Sequence, residues 1–227
     1  MKGRLIGALW IAGALALFYF AFDGIEFTSF FIFCLMVCLA EIMVISQLQP
    51  FRLKPDACNP HGAWIIQAGI AFMAAICCMF IAKEQLLLVV AVCSLSDVGA
   101  FTCGKLLGKH KAKFSAKISP NKTIEGYVGG IISTAAAIPI CFLLDIEITP
   151  RIAIYLALGG IVAEAGDLLG SATKRQLDIK DSGDGLRHLP IFKWIEYPVR
   201  GHGGYLDRLD SISANIVLFS LLTVPRF

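Results

Sequence analysis

The chain has 227 residues, 57% hydrophobic and 16% charged, with a net charge of +3 and a mean hydropathy of +0.73. A soluble domain carries about 25% charged residues. Here the apolar excess is gathered into runs near 20 residues long, the length of helix that crosses about 30 Å of hydrocarbon. That excludes a soluble globular protein, and continuous rather than alternating runs exclude a β-barrel.

The predicted fold is all-α, a polytopic membrane bundle of about seven transmembrane helices. The spans fall near 5–22, 28–48, 62–82, 85–101, 127–144, 151–169 and 211–225. The first is read as a span and not a cleaved signal, because it lacks a small-residue cleavage site and more spans follow. Lys2 and Arg4 precede it, and Arg52 and Lys54 follow the second span. The loop after the fourth holds Lys105, Lys109, Lys111, Lys113, Lys117 and Lys122. With the N-terminus in the cytoplasm, 17 of the 20 Lys and Arg residues lie on the cytoplasmic side and 3 on the other. The excess of basic residues on cytoplasmic loops then sets the orientation. The Lys-rich loop and the long polar stretch after the sixth span are thereby expected on one face.

One domain is expected, with membrane helices over 1–82 and nearly all the chemistry in 85–227. Most of the eight cysteines sit in apolar runs without metal-type pairing, so they read as small buried hydrophobes. Small-residue runs such as Gly126–Gly130 suit close helix packing. A homodimer is one use for them.

The polar stretch from Gly166 to Ser211 carries the strongest signals. Asp167 lies near the end of the sixth span, and on a helix Glu164, Asp167, Ser171 and Lys174 share one face. A carboxylate at membrane depth is costly and points to function. Lys174 and Arg175 are adjacent, so they face different ways. Lys180 and Asp181 lie in a turn-rich end to that helix. Gly201, His202, Gly203 and Gly204 precede Asp207, Arg208 and Asp210. Such glycines permit close backbone approach to phosphate. Asp207 and Asp210, three apart at the mouth of the last span, could share a cation.

Upstream, SPNKTIEG at 119–126 begins a helix. Pro120 and Asn121 mark a turn, Ser119 or Asn121 is expected to cap the helix, and Glu125 falls in its first turn. Lys122 and Thr123 near that N-terminus suit an anion. Asp97, followed by Gly99, is a further acid at the end of the fourth span.

SATKRQLDIKDSG at 171–183, GHGGYLDRLDS at 201–211, SPNKTIEG at 119–126 and the element DVGAF from Asp97 resemble the ordered motifs of phosphatidate cytidylyltransferases, the CDP-diacylglycerol synthases. The resemblance covers roughly 94–215. It departs in an insert at 184–200, whose Phe192, Trp194, Tyr197 and three basic residues suit the lipid headgroup zone.

The resemblance implies transfer of CMP from CTP to phosphatidic acid, giving CDP-diacylglycerol and pyrophosphate. It implies Mg²⁺, with a second metal ion or K⁺ beside it, held by Asp167, Asp207 and Asp210. Lys174 would neutralise a nearby phosphate. Ser171, Arg175, Lys180, Asp181, His202, Gly203, Gly204 and Arg208 would position substrate, and Ser119, Lys122 and Thr123 would contact nucleotide phosphate or lipid headgroup. Expected partners are CTP, phosphatidic acid and the bilayer, with no nucleic acid. The expected location is the bacterial inner membrane, with the site facing the cytoplasm. The rival readings are a related CTP-using enzyme acting on another lipid phosphate or a polyprenol and, more remotely, a transporter.

Overall fold

The computed structural model describes residues 21, 23–48, 62–177, 179 and 205–224. Over these the chain is a bundle of α-helices. In order they are α1 (Gly24–Leu48), α2 (Ala63–Cys78), α3 (Lys83–Leu106), α4 (Ile124–Ser133), α5 (Ala137–Leu143), α6 (Pro150–Gln176) and α7 (Leu206–Thr223). A 3₁₀ turn at Thr134–Ala136 joins α4 to α5, so the two run as one rod. Among the described residues there is no strand; an isolated bridge pairs Lys111 with Thr123.

Four segments are long and apolar enough to cross a membrane: Gly24–Ser46, Lys83–Leu106, Ile124–Leu143 and Pro150–Gln176. α2 is apolar but has 16 residues, about 24 Å at 1.5 Å per residue, which is short of the hydrocarbon thickness. α7 has 18 residues and opens on Asp207 and Asp210. Six of the seven expected spans thus coincide with helices; the first, at 5–22, lies outside the described residues. The seven described cysteines are unpaired, and four of them (Cys38, Cys78, Cys93 and Cys141) are buried. Large apolar side chains such as Phe33, Ile132, Phe142 and Leu143 cover the outer surface, as lipid rather than water requires.

With α4 and α5 counted as one rod, one end of the bundle gathers the end of α3, the start of α4, the end of α6 and the start of α7. Trp64 N at the start of α2 donates to Gln176 Oε1 at the end of α6 (3.2 Å). Arg175 Nε donates to the Ile118 carbonyl in the Lys-rich loop (3.4 Å). That loop and the end of α6 therefore share one face. The opposite end holds an open cleft of about 920 Å³ between Glu84, Asp145, Arg151 and Thr223.

Glycines bring helices unusually close at several interfaces, two of which frame the polar end of the bundle. α4 meets α3 through Gly126, Gly129 and Gly130. A Cβ added at Gly130 would come 3.0 Å from the Ser96 carbonyl, and one at Gly129 would collide with the Cys103 side chain. The small-residue run at Gly126–Gly130 is therefore spent inside the chain. α6 meets α7 in the same manner: a Cβ at Gly166 would stand 2.8 Å from Ser211 Cα, and one at Gly170 2.7 Å from Asp210 Cβ.

Candidate active site

The entry to α4 sets the first part of the site. Ser119, Pro120, Asn121 and Lys122 form a turn closed by Lys122 N donating to the Ser119 carbonyl (3.3 Å). The helix cap is Thr123, where Ser119 or Asn121 was the expectation. Thr123 has extended dihedrals (φ −119°, ψ 156°), and its Oγ1 accepts from Gly126 N at 3.1 Å. Ser119 and Asn121 belong to the preceding turn, four and two residues too early to face the free N–H groups. Glu125 reaches back to His110, accepting from its backbone N (3.1 Å) and meeting its ring Nδ1 (2.6 Å). The Lys-rich loop is thus pinned at both ends.

This geometry aims Lys122 inward. Its Nζ lies 2.6 Å from Glu164 Oε2 and 2.6 Å from Asp167 Oδ2, both on α6, and over the Tyr127 ring at 4.6 Å. Burial alone would lower the Lys122 pKa, but the two carboxylates outweigh it and hold the ammonium above the usual lysine range. Lys122 is therefore charged at any physiological pH. Glu164 is buried, and its other oxygen packs where a side chain at Gly130 would stand.

Two turns past Asp167 along α6, Lys174 is paired with Asp207 on α7. Asp210, a turn deeper on α7, is 3% exposed. Its Oδ1 accepts from Ser211 N (2.7 Å), whereas Oδ2 has no hydrogen-bond partner. An acid in so tight a place needs Gly170 opposite it. The charges of Asp167, Lys174 and Asp97 all act on Asp210. Ser171 is half-buried on α6, and Arg175 and Arg208 lie exposed at the rim. Of the other expected site residues, Lys180, Asp181, His202, Gly203 and Gly204 lie outside the described residues.

The described site thus draws Asp97, Glu164, Asp167, Asp207 and Asp210 to one end of the bundle, with Lys122 and Lys174 threaded between them. Among the described residues no three His, Cys, Asp or Glu side chains are gathered tightly enough to hold a metal ion. The donor chemistry nevertheless fits a hard divalent cation, which takes carboxylate oxygens. An oxygen of Asp210, buried without a partner, is what a cation would satisfy.

One residue escaped the sequence reading. Glu41 of α1 is 1% exposed, and its Oε2 accepts from Leu206 N at the start of α7 (2.8 Å). An acid inside an apolar run was the signal that drew notice to Asp97 and Glu164, and Glu41 carries the same signal.

Comparison with known proteins covers this assembly. The chain is 36% identical to a phosphatidate cytidylyltransferase of Staphylococcus haemolyticus over 163 residues, 70% of this chain and 56% of that one. It is 34% identical to the Staphylococcus saprophyticus protein of the same name over 163 residues, with the same coverage. It is 38% identical to that of Staphylococcus aureus over 133 residues, 57% of this chain and 45% of that one. The chain spans about half the length of the curated relatives it matches. No solved structure gives a significant match. The model of the cytidylyltransferase family matches residues 62–224. That stretch contains Asp97, Lys122, Glu164, Asp167, Lys174, Asp207 and Asp210, and the chain belongs to the cytidylyltransferase family.

Proposed function

We propose that this protein transfers CMP from CTP to phosphatidic acid, forming CDP-diacylglycerol and releasing pyrophosphate. The observation that carries the reading is the meeting of α6 acids and α7 acids around two lysines at one end of a membrane bundle. The names of the relatives point the same way.

In the proposed step an oxygen of the lipid phosphate monoester attacks the α-phosphorus of CTP. A new P–O bond forms as the bond to the β-phosphate oxygen breaks, and pyrophosphate leaves with that electron pair. No protein nucleophile is required. The obstacle is charge, because two anions must meet and a third must leave. Asp167, Asp207 and Asp210 would hold Mg²⁺, which when bound neutralises phosphate oxygens and stabilises the leaving group. Lys122 holds two acids here and Lys174 one, and both can turn to phosphate when substrate enters. Arg175 and Arg208, at the rim, suit the outer phosphates of CTP. Ser119, Thr123 and Ser171, with Lys180, Asp181, His202, Gly203 and Gly204, are proposed to line the substrate path. The face bearing the Lys-rich loop would be cytoplasmic, where CTP is found, and the membrane a bacterial inner membrane.

The test is incubation of purified protein with Mg²⁺, phosphatidic acid and CTP labelled at either the α- or the γ-phosphate. Label from the α-phosphate should enter the lipid, and label from the γ-phosphate should leave as pyrophosphate. Lipid carrying γ-label would instead mark a kinase, and no transfer to phosphatidic acid but transfer to another lipid phosphate would replace the acceptor.

A further inference from the structure

We propose that Glu41 is a positioning residue that sets the register of α7, and through it the placement of Asp207 and Asp210. The proposal rests on the reading above, that these acids do the chemistry. It begins with the residue at the cap of α7. Tyr205, which precedes α7, has helical dihedrals (φ −65°, ψ −37°) and offers no side-chain cap. The first N–H groups of a helix have no partner within it and need one from elsewhere. For Leu206 the acceptor comes from 165 positions away, the Glu41 carboxyl at 2.8 Å.

Placing a carboxyl in the buried face of an apolar helix is costly unless it is hydrogen-bonded. The positive end of a helix is a favourable place for it. Its neighbours along α1, Cys38 and Ile42, and Leu206 and Leu209 of α7 all belong to the buried apolar cluster. Those contacts are non-directional and tolerate small slides and rotations. The Glu41 bond is directional and fixes a backbone atom one residue before Asp207. Lys174 fixes the Asp207 side chain from α6. α7 is therefore referenced to two helices at the point where its acids emerge. Glu41 lies upstream of the 62–224 family match, on a helix that contributes no residue to the acid–lysine cluster.

The test uses the full chain in detergent, with Mn²⁺ binding followed by electron paramagnetic resonance beside steady-state kinetics and thermal unfolding. Glu41→Leu removes the acceptor, and Glu41→Gln keeps an oxygen in its place. In Glu41→Leu, Mn²⁺ affinity and kcat should each fall about 10- to 100-fold, the range seen when a group supporting metal ligands is lost. The KM for CTP should stay within about twofold, since the substrate-facing bases are untouched. Glu41→Gln should recover most of both losses. Wild-type Mn²⁺ affinity and kcat in Glu41→Leu would overturn the proposal, as would equal losses in Glu41→Gln. If Glu41→Leu does not fold, Glu41→Asp, which draws the acceptor back by one methylene, should weaken Mn²⁺ binding with little change in melting temperature; unchanged binding in the folded variant overturns the claim. A wild-type protein that neither binds Mn²⁺ nor forms CDP-lipid would instead withdraw the reading of the site itself, and this inference with it.

Discussion

Two helix pairs in this bundle use the same packing device for different ends. α3 and α4 approach through Gly99, Gly126 and Gly129, where the space is filled by backbone and small side chains; only at Gly130 does an acid, Glu164 of α6, enter. Ser133 Oγ there donates to the Leu95 carbonyl at 2.6 Å, closing the interface with a hydrogen bond. α6 and α7 approach through Gly159, Gly166 and Gly170, but what fills the space at Gly170 is the carboxyl of Asp210. Small residues allow close contact in lipid, where no hydrophobic drive separates helix from solvent. One contact gives rigidity. The other holds an acid whose second oxygen is left unsatisfied, the kind of local expense found at working sites.

The contrast is open to breaking, and the largest effect should come from the acid itself. Asp207→Asn should lower CMP transfer by more than the 10- to 100-fold typical of groups that only support metal ligands. The protein should remain monodisperse in detergent, with the Lys174 pairing weakened but the bundle intact. Gly170→Ala comes next. Its methyl would press on Asp210, 2.7 Å from Cβ and 2.9 Å from Cγ, and activity should fall about 10- to 100-fold through displaced geometry. Folding should suffer less than activity, as read by melting temperature.

Gly129→Ala should reverse that order. Alanine favours a helix by about 1 kcal/mol, but overpacking against Cys103 costs about 1–3 kcal/mol. The net is a modest drop in melting temperature, with specific activity of the folded protein near wild type. A large loss of activity without loss of stability would erase the distinction between the two pairs. The smallest effect belongs to Ser133→Ala. Hydrogen bonds between helices in a membrane are worth about 0.6 kcal/mol on average, so the melting temperature should move slightly and kinetics not at all.

Much of the site could be anticipated from the chain alone, and particular residues show where that ended. Asp167 stood out as an acid at the end of an apolar run, and Asp207 and Asp210 by their spacing of three after a glycine cluster at the mouth of the last span. The turn at Pro120–Asn121 followed from its own chemistry. The cap was misplaced by a few residues because Ser119, Asn121 and Thr123 are all good cap formers, and only the path of the Lys111–Thr123 pairing decides among them. Lys122 was expected to contact nucleotide phosphate or a lipid headgroup; the structure pairs it with two carboxylates of α6, which no sequence pattern announced. Glu41 carries the same mark as Asp97, an acid in an apolar run; what the sequence does not show is its partner, a backbone N–H at the start of α7.

By itself the sequence determined that this is a helical membrane protein. Run length is matched to bilayer thickness with no reference to tertiary contacts. Only the folded bundle decided which ammonium meets which carboxylate, that Gly170 makes room for Asp210, and that α1 reaches the start of α7. Those depend on the depth and rotation of each helix, which are settled by side-chain contacts between residues far apart along the chain.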